Sequence, residues 1–194
     1  MAESERHPLE PFLPEDAETL MLGSFPPQRV RWCMDFYYPN FQNDMWRIMG
    51  YIETGDANAF VDTANRRFDL EKVVDFCRRR CLALYDTATE VVRLRNNASD
   101  NFLEVVRPTD VAALLARLPH CRRIVATGKK SADTLREMFG FDEIGVGGST
   151  EVTIAGRRYR VYRMPSSSRA YPRPIAWKAE YYRKVIGSGA SLRG

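Results

Sequence analysis

The sequence predicts an α/β protein, a three-layer α/β/α sandwich around a mostly parallel central sheet. Three observations carry this. Short apolar runs of strand length alternate with segments whose apolar residues recur at helical spacing. Four of the runs end in a small, polar or basic turn: Gly23-Ser24-Phe25-Pro26-Pro27, Asp86-Thr87-Ala88, Thr127-Gly128-Lys129-Lys130 and Pro165-Ser166-Ser167-Ser168. A chain of 194 residues, 44% of them hydrophobic, is long enough for one well-filled core.

Residues 1–18 read as an irregular arm, rich in proline and acid. Thr19 to Gly23 is a short buried strand, followed over residues 28–41 by a loop dense in Arg, Tyr, Phe and Trp. Met45, Ile48, Met49 and Ile52 lie at helical spacing, so residues 43–52 read as a helix that Asn40 or Asn43 caps. Residues 57–81 read as helical pieces ending in Arg78-Arg79-Arg80. Leu82 to Tyr85 is the second strand, residues 87–94 a short helix or turn, and residues 96–101 a polar loop. Thr109-Asp110 starts a helix with Val111, Leu114, Leu115 and Leu118 on one face. The third strand covers 123–127, and Gly128 turns it into a helix over 131–139. Gly145 to Gly148 is a flexible loop. Residues 152–154 and 159–164 form a hairpin through Ala155-Gly156-Arg157, its second arm being the fourth main strand. A helix over 175–186 closes a single domain spanning 19–186, and residues 187–194 are a loose Gly/Ser-rich tail.

In such a sheet the right-handed crossover rule puts every strand-to-helix turn at one edge, where ligands bind. The four turns are then neighbours, and their small, basic character suits a phosphate-bearing ligand. The formal charge is only +4, but ten of the basic residues and a single acid, Glu180, fall between Arg157 and Arg193. Aromatics are interleaved there: Tyr159, Tyr162, Tyr171, Trp177, Tyr181 and Tyr182. That pattern fits a polyanion with stackable bases and equally a solvated face over core aromatics.

No apolar run approaches the roughly 20 residues needed to span a bilayer, and the polar N-terminus has no signal-peptide core. These features point to a cytoplasmic protein with no membrane partner. Asn97-Ala98-Ser99 matches a glycosylation acceptor, which means little without a secretory signal. Cys77 and Cys81 share a helix face, but Cys33 and Cys121 are distant singles and no Cys-x-x-Cys occurs; reduced thiols and no metal are expected. Neither histidine, His7 nor His120, can be placed at the sheet edge. No His-Glu-x-x-His, Gly-x-Ser-x-Gly or Walker A pattern is present. Amides, hydroxyls, aromatics and Asp86 remain. Such a set holds a water, stacks a flat ring and binds phosphate through backbone N–H groups.

Leu22-Gly23-Ser24-Phe25-Pro26, then Tyr37-Tyr38 and Gln42-Asn43-Asp44-Met45-Trp46, resembles the first motif region of the uracil-DNA glycosylase superfamily, and most closely its hypoxanthine-DNA glycosylase branch with G-S-F-P, a tyrosine pair and N-x-F-W. Pro165-Ser166-Ser167-Ser168-Arg169-Ala170 resembles that branch's second motif, P-S-x-S-x-A. Leu82 to Asp86 and Thr127 to Ala132 resemble the two central strand ends. The similarity spans about residues 19–186.

The resemblance implies a uracil-DNA-glycosylase-like fold and a monofunctional DNA glycosylase that removes a deaminated base, hypoxanthine or uracil, without a cofactor, as a monomer. It implies that Asn43 positions the attacking water, although Asn43 also fits as a helix cap. Tyr38 would stack on the flipped base, Phe25 and Pro26 would line the pocket, and the Gly23-Ser24-Phe25 turn would offer backbone N–H groups. Asp86 would hold a water or the base edge, or cap the next helix. Ser166, Ser167 and Ser168 would grip phosphates, Arg169 would fill the gap left by the base or bind phosphate, and Lys129 and Lys130 would contact phosphate. Phe25 stands where the superfamily often has Asp or Asn, Asn40-Phe41 where the branch has His-Pro, and Met45 where it has Phe; residues 57–80 look inserted. An inactive nucleic-acid-binding module, a nucleoside hydrolase and an iron–sulfur glycosylase are the competing readings.

Overall fold

The computed structural model describes residues 4–94 and 103–187. The elements are β1 (Ser4–Arg6), β2 (Thr19–Gly23), α1 (Met45–Thr54), β3 (Val61–Asp62), β4 (Arg67–Phe68), α2 (Leu70–Arg79), β5 (Leu82–Asp86), β6 (Ala88–Arg93), β7 (Leu103–Pro108), α3 (Val111–Ala116), β8 (Arg123–Ala126), α4 (Lys129–Phe139), β9 (Ser149–Ile154), β10 (Arg157–Arg163) and α5 (Ile175–Ile186). The central sheet runs β5-β2-β8-β10-β9 and is parallel except for the β9–β10 hairpin. The class is mixed α/β with a mostly parallel sheet.

Every residue of β2 and β5 is buried, as befits central parallel strands that read as continuous apolar runs rather than alternating ones. Register fixes the site. Gly23 lies opposite Asp86, Leu22 opposite Ala126, and Arg163 opposite Ala126. The four turns that follow these residues therefore leave the sheet at one level. The core gathers around the sheet, with Trp46, Phe68, Phe76 and Tyr182 among its largest fully buried side chains.

Two expectations need correction. Residues 87–94 are not helical: Ala-Thr-Glu-Val-Val-Arg, rich in β-branched residues, forms β6. It is held between β1 and β7 in an antiparallel three-stranded sheet. Nor is the N-terminal arm irregular throughout, because β1 pairs with β6 from Ser4↔Val92 to Arg6↔Glu90. Phe25, Ala88, Val91 and Leu103 make a small separate core beneath this sheet. Residues 57–81 contain one helix, α2, preceded by the short β3–β4 ladder. The β9–β10 hairpin turns at Ala155-Gly156, both at positive φ (48° and 78°), as a two-residue primed turn requires. The loop expected over 96–101, the glycosylation match and the tail beyond Gly187 lie outside the described residues. Among the described residues no helix is long and apolar enough to cross a membrane.

Candidate functional site

The four strand-end turns enclose one cavity of about 560 Å³, within the roughly 300–1,000 Å³ usual for small-molecule sites. Gly23, Ser24, Phe25 and Pro26 line one side, Asp86 the end of β5, Thr127 to Ser131 the start of α4, and Ser166 to Ser168 the bend after β10. Tyr37, Tyr38, Asn40 and Asn43 complete the wall. Of the thirteen candidate site residues expected from sequence, Arg169 alone is absent from this lining.

Asn43 lies just before α1. The N-cap position is Asp44, not Asn43, but Asn43 Oδ1 accepts the Met45 N–H at 2.9 Å and so satisfies the first helical N–H from one residue further out. That contact also fixes the carboxamide at the cavity wall. Arg47, in the first turn of α1, donates to the Phe41 carbonyl at 2.8 Å and the Asn43 carbonyl at 3.3 Å. Its guanidinium sits over the rings of Phe41 and Phe68, 4.5 and 5.1 Å from their centroids. Burial, and then the nearby Arg169 charge, lower its pKa. The segment leading to Asn43 is thus clamped from beneath.

The serine bend is tied to the same segment. The Asp44 backbone N–H donates to the Ser167 carbonyl at 3.0 Å, and Arg169 Nε donates to Asp44 Oδ1 at 3.0 Å. Lys178, fully buried on α5, donates from Nζ to the Ser168 carbonyl at 3.0 Å. Burial lowers the Lys178 pKa, Arg169 lowers it further, and Asp44 opposes both. Ser166 Oγ accepts the Ser168 N–H and Ser168 Oγ the Ala170 N–H, each at 3.2 Å, which shapes the bend.

Tyr38 holds a left-handed backbone conformation, φ 51°, a state costing about 1–3 kcal/mol for a non-glycine residue. Its ring lies edge-on to Trp46 at 6.1 Å, and its hydroxyl is 2.9 Å from Thr127 Oγ1. Tyr37 donates its hydroxyl hydrogen to the Glu10 carbonyl at 2.7 Å, and burial raises its pKa. On the basic side, α4 begins at the cavity with Gly128 before it, so its first N–H groups meet the space where an anion is favoured. Lys130 lines the wall; Lys129 does too, but is paired with Asp133 at 2.7 Å.

Sequence reasoning missed His7. Its Nε2 lies 2.8 Å from Asp86 Oδ2, so the wall carboxylate is held from behind by the N-terminal arm. Only a three-dimensional partner reveals this, since 79 residues separate the two. Lys178 and Arg47 were missed for a related reason: an isolated cation in a helix reads as surface. Cys77 and Cys121 are buried, and burial pushes the Cys121 thiol up to about 11. Among the described residues no three His, Cys, Asp or Glu side chains gather as a metal site.

Sheet order, strand-end cavity and turn placement together define a mixed α/β fold whose cavity lies at the carboxyl ends of its parallel strands. The chain is similar to a solved structure described as a "putative Uracil DNA glycosylase from Methanosarcina acetivorans", with 23% identity and a TM-score of 0.63 over 95% of this chain and 97% of that one. No protein-family model matches the chain, and no curated protein matches it.

Proposed function

We propose that this chain is a DNA glycosylase, a monofunctional enzyme that hydrolyses the N-glycosidic bond of a deaminated base, hypoxanthine or uracil. The three-layer α/β/α arrangement, a cytoplasmic place of action and a monomeric state go with that reading. The observation that carries it is the shared cavity of Asn43 and the Ser166 to Ser168 bend, locked together by the Asp44–Ser167 backbone bond. A base-binding slot and a phosphate-gripping turn must lie side by side to act on one flipped nucleotide.

The target leaves the stack at a cost of a few kcal/mol and enters the cavity. Tyr38, Phe25 and Pro26 offer the flat and apolar wall. The serine hydroxyls, the α4 N-terminus, Lys129 and Lys130 face the flanking phosphates. Arg169, tied to Asp44, takes part from the rim through its remaining donors. Asn43 Oδ1 gives one lone pair to Met45 N–H and keeps a second for water. An amide orients that water and takes no proton from it. Water attacks the sugar C1′ as it gains oxocarbenium character, the bond electrons depart with the base, nearby donors stabilise that charge, and the proton the water loses passes through solvent to the departed base anion. Asp86 contacts the base edge or a bound water. No cofactor enters this scheme.

The test is a panel of duplexes, each with one deoxyinosine, deoxyuridine or normal base, incubated with protein and then alkali. Strand breaks at a deaminated base that vanish in Asn43→Ala while binding survives support the enzyme. Tight binding with no breaks on any lesion supports a non-catalytic binding module, and cleavage of free inosine in place of DNA a nucleoside hydrolase.

A further inference from the structure

The aromatics interleaved with basic residues between Arg157 and Arg193 are divided by the fold. Tyr159 and Tyr182 are buried in the core, and Tyr162 and Tyr181 pack against it. Tyr171 and Trp177 do neither, although both are only partly exposed. They pack in a row instead. The ring centres of Tyr171 and Trp177 are 6.3 Å apart, and those of Trp177 and Tyr181 are 4.6 Å apart. The row begins at the cavity, whose wall includes Tyr171. It continues along α5, where Trp177 and Tyr181 are neighbours one turn apart. Its far end is braced: the Tyr181 ring lies against Gly147, where a Cβ would collide with it. Each ring has a cation beside it. Lys178 Nζ is 5.8 Å from the Tyr171 ring, the Arg173 guanidinium 5.2 Å from Trp177 and Lys184 Nζ 5.5 Å from Tyr181. Lys178 is buried and bonded to the Ser168 carbonyl, whereas Arg173 and Lys184 are exposed. Glu180 is the one acid on α5.

We infer that the row Tyr171, Trp177, Tyr181 is a track for single-stranded DNA, on which unpaired bases adjoining the nucleotide in the cavity stack. This rests on the glycosylase reading and adds to it a substrate with a single-stranded flank. The combination of rings and exposed cations selects the partner. Bases stack on successive aromatics while cations follow the phosphates, and any base serves because every base has a flat face. In a duplex the bases are already stacked and turn only their edges outward, so a row of rings finds no face to meet. Continuity with the cavity gives the direction of the track: a strand leaving the cavity meets Tyr171 first and Trp177 next. Arg173 and Lys184, at the two ends of the Trp177–Tyr181 pair, supply positive charge for its backbone. Rings held by one another and by Gly147 need little ordering when the strand arrives, which lowers the cost of association.

The experiment measures, by fluorescence anisotropy, the affinity of wild type, Trp177→Ala and Trp177→Phe for three labelled probes. Each carries one tetrahydrofuran abasic analogue: a single strand, the same strand with its flanking bases also replaced by tetrahydrofuran, and a duplex. No catalysis is needed. Trp177→Ala should weaken binding to the ordinary single strand by about fivefold or more, the usual effect of losing one base–aromatic stack, and Trp177→Phe should restore most of it. Wild type should bind the strand with baseless flanks more weakly by a similar factor. Trp177→Ala should lose nothing further on that probe, because the same stack is already gone. Duplex affinity should change little. An unchanged single-strand affinity in Trp177→Ala, or an equal loss on the duplex or on the baseless flanks, overturns the track and leaves the glycosylase reading intact. Indifference of wild type to the flanking bases overturns it too, even where Trp177→Ala fails to fold. Absence of excision on every lesion sinks the glycosylase reading, while the anisotropy still decides the track. Failure to bind any of the probes overturns both.

Discussion

His7 Nε2 lies 2.8 Å from Asp86 Oδ2, with the two side chains only 2% and 8% exposed. The imidazole is packed among Phe25, Tyr37 and Tyr85, 4.6 Å from the last. Its Nδ1 faces both the Leu9 N–H at 3.2 Å and the Leu9 carbonyl at 2.9 Å. Which of the two Leu9 groups Nδ1 pairs with depends on the ring's tautomer. His7→Ala strips a buried carboxylate of its partner. It should cost about 1.5–3 kcal/mol, the usual range for a hydrogen bond to a charged group, read as the shift in urea-unfolding free energy. Asp86→Asn, which removes the charge and keeps a polar group, should cost less than His7→Ala. The opposite order would mean that the imidazole, not the carboxylate, is the group that needs the partner.

Gly23 faces the same carboxylate. A Cβ added there would collide with Asp86 Oδ1. Gly23→Ala must therefore displace Asp86 from His7 or part β2 from β5. Overpacking of this kind costs about 1–3 kcal/mol. The loss should not add to that of His7→Ala, because both act on one carboxylate. A double mutant whose unfolding free energy falls by the full sum would show that the two perturbations are independent.

The His7 contact marks the limit of what the chain reveals as a string. The strands at residues 19–23, 82–86 and 123–126 were legible because central parallel strands are unbroken apolar runs. Their turns were legible because small and polar residues end those runs. Twelve of the thirteen residues expected at the site line the cavity, all but Arg169. The β1–β6–β7 sheet was not legible. Ser4–Arg6 is three polar residues whose strand state exists only through pairing with β6. The Ala88–Arg93 strand follows directly after the Asp86-Thr87 turn, where a helix start was expected, and its buried Val91 packs into a separate small core. Pairing with a partner distant in sequence decides Ser4–Arg6, while the β-branched residues of Ala88–Arg93 were the one local sign of a strand there.

Asn43 separates two roles that one side chain holds. As a cap it accepts a single backbone N–H, a contact worth about 1 kcal/mol. As the residue that orients water it carries the proposed reaction. Asn43→Ala should therefore lower the excision rate by about a hundredfold or more, in the range of positioned catalytic groups, while thermal unfolding moves only slightly. Asn43→Asp keeps the capping oxygen and should hold stability while still slowing excision. Rate and stability falling in proportion would reduce Asn43 to its capping role.

Lys178 tests whether the serine bend must be anchored. Its lowered pKa means that burial disfavours the charged form in the folded state. Between the folded and unfolded pKa values the unfolded chain binds more protons, so this group makes stability rise with pH over that interval. Lys178→Met keeps the length, removes the charge and should abolish that rise, with little net loss of stability near neutral pH, since replacing a buried ion by an apolar side chain is often neutral. The Ser168 carbonyl loses its donor, so affinity for an abasic duplex should fall severalfold. Unchanged affinity would show that the bend holds its shape without the lysine.

Burial raises several groups with the same sign, Tyr37, Cys77, Tyr85, Cys121 and Tyr182 among them, and so bears on alkaline stability. Tyr85 is raised from 10.0 to about 12, by burial first and then by the Asp86 and Glu10 charges. Burial raises Cys121 from 9.0 to about 11. Each holds its proton in the folded state at a pH where the unfolded chain has lost it. The unfolded state then binds fewer protons, and stability falls as pH rises. The stability that Tyr85 and Cys121 provide is complete below about pH 9, declines through the next units and is gone above about pH 12, the limits set by their pKa values. Urea-unfolding midpoints at intervals from pH 8 to the alkaline limit of the assay should trace that decline. Tyr85→Phe removes one of these titrations and should make the slope shallower, chiefly above pH 10, where the unfolded tyrosine ionises. A slope identical to wild type would place the Tyr85 hydroxyl in water rather than in the protein interior.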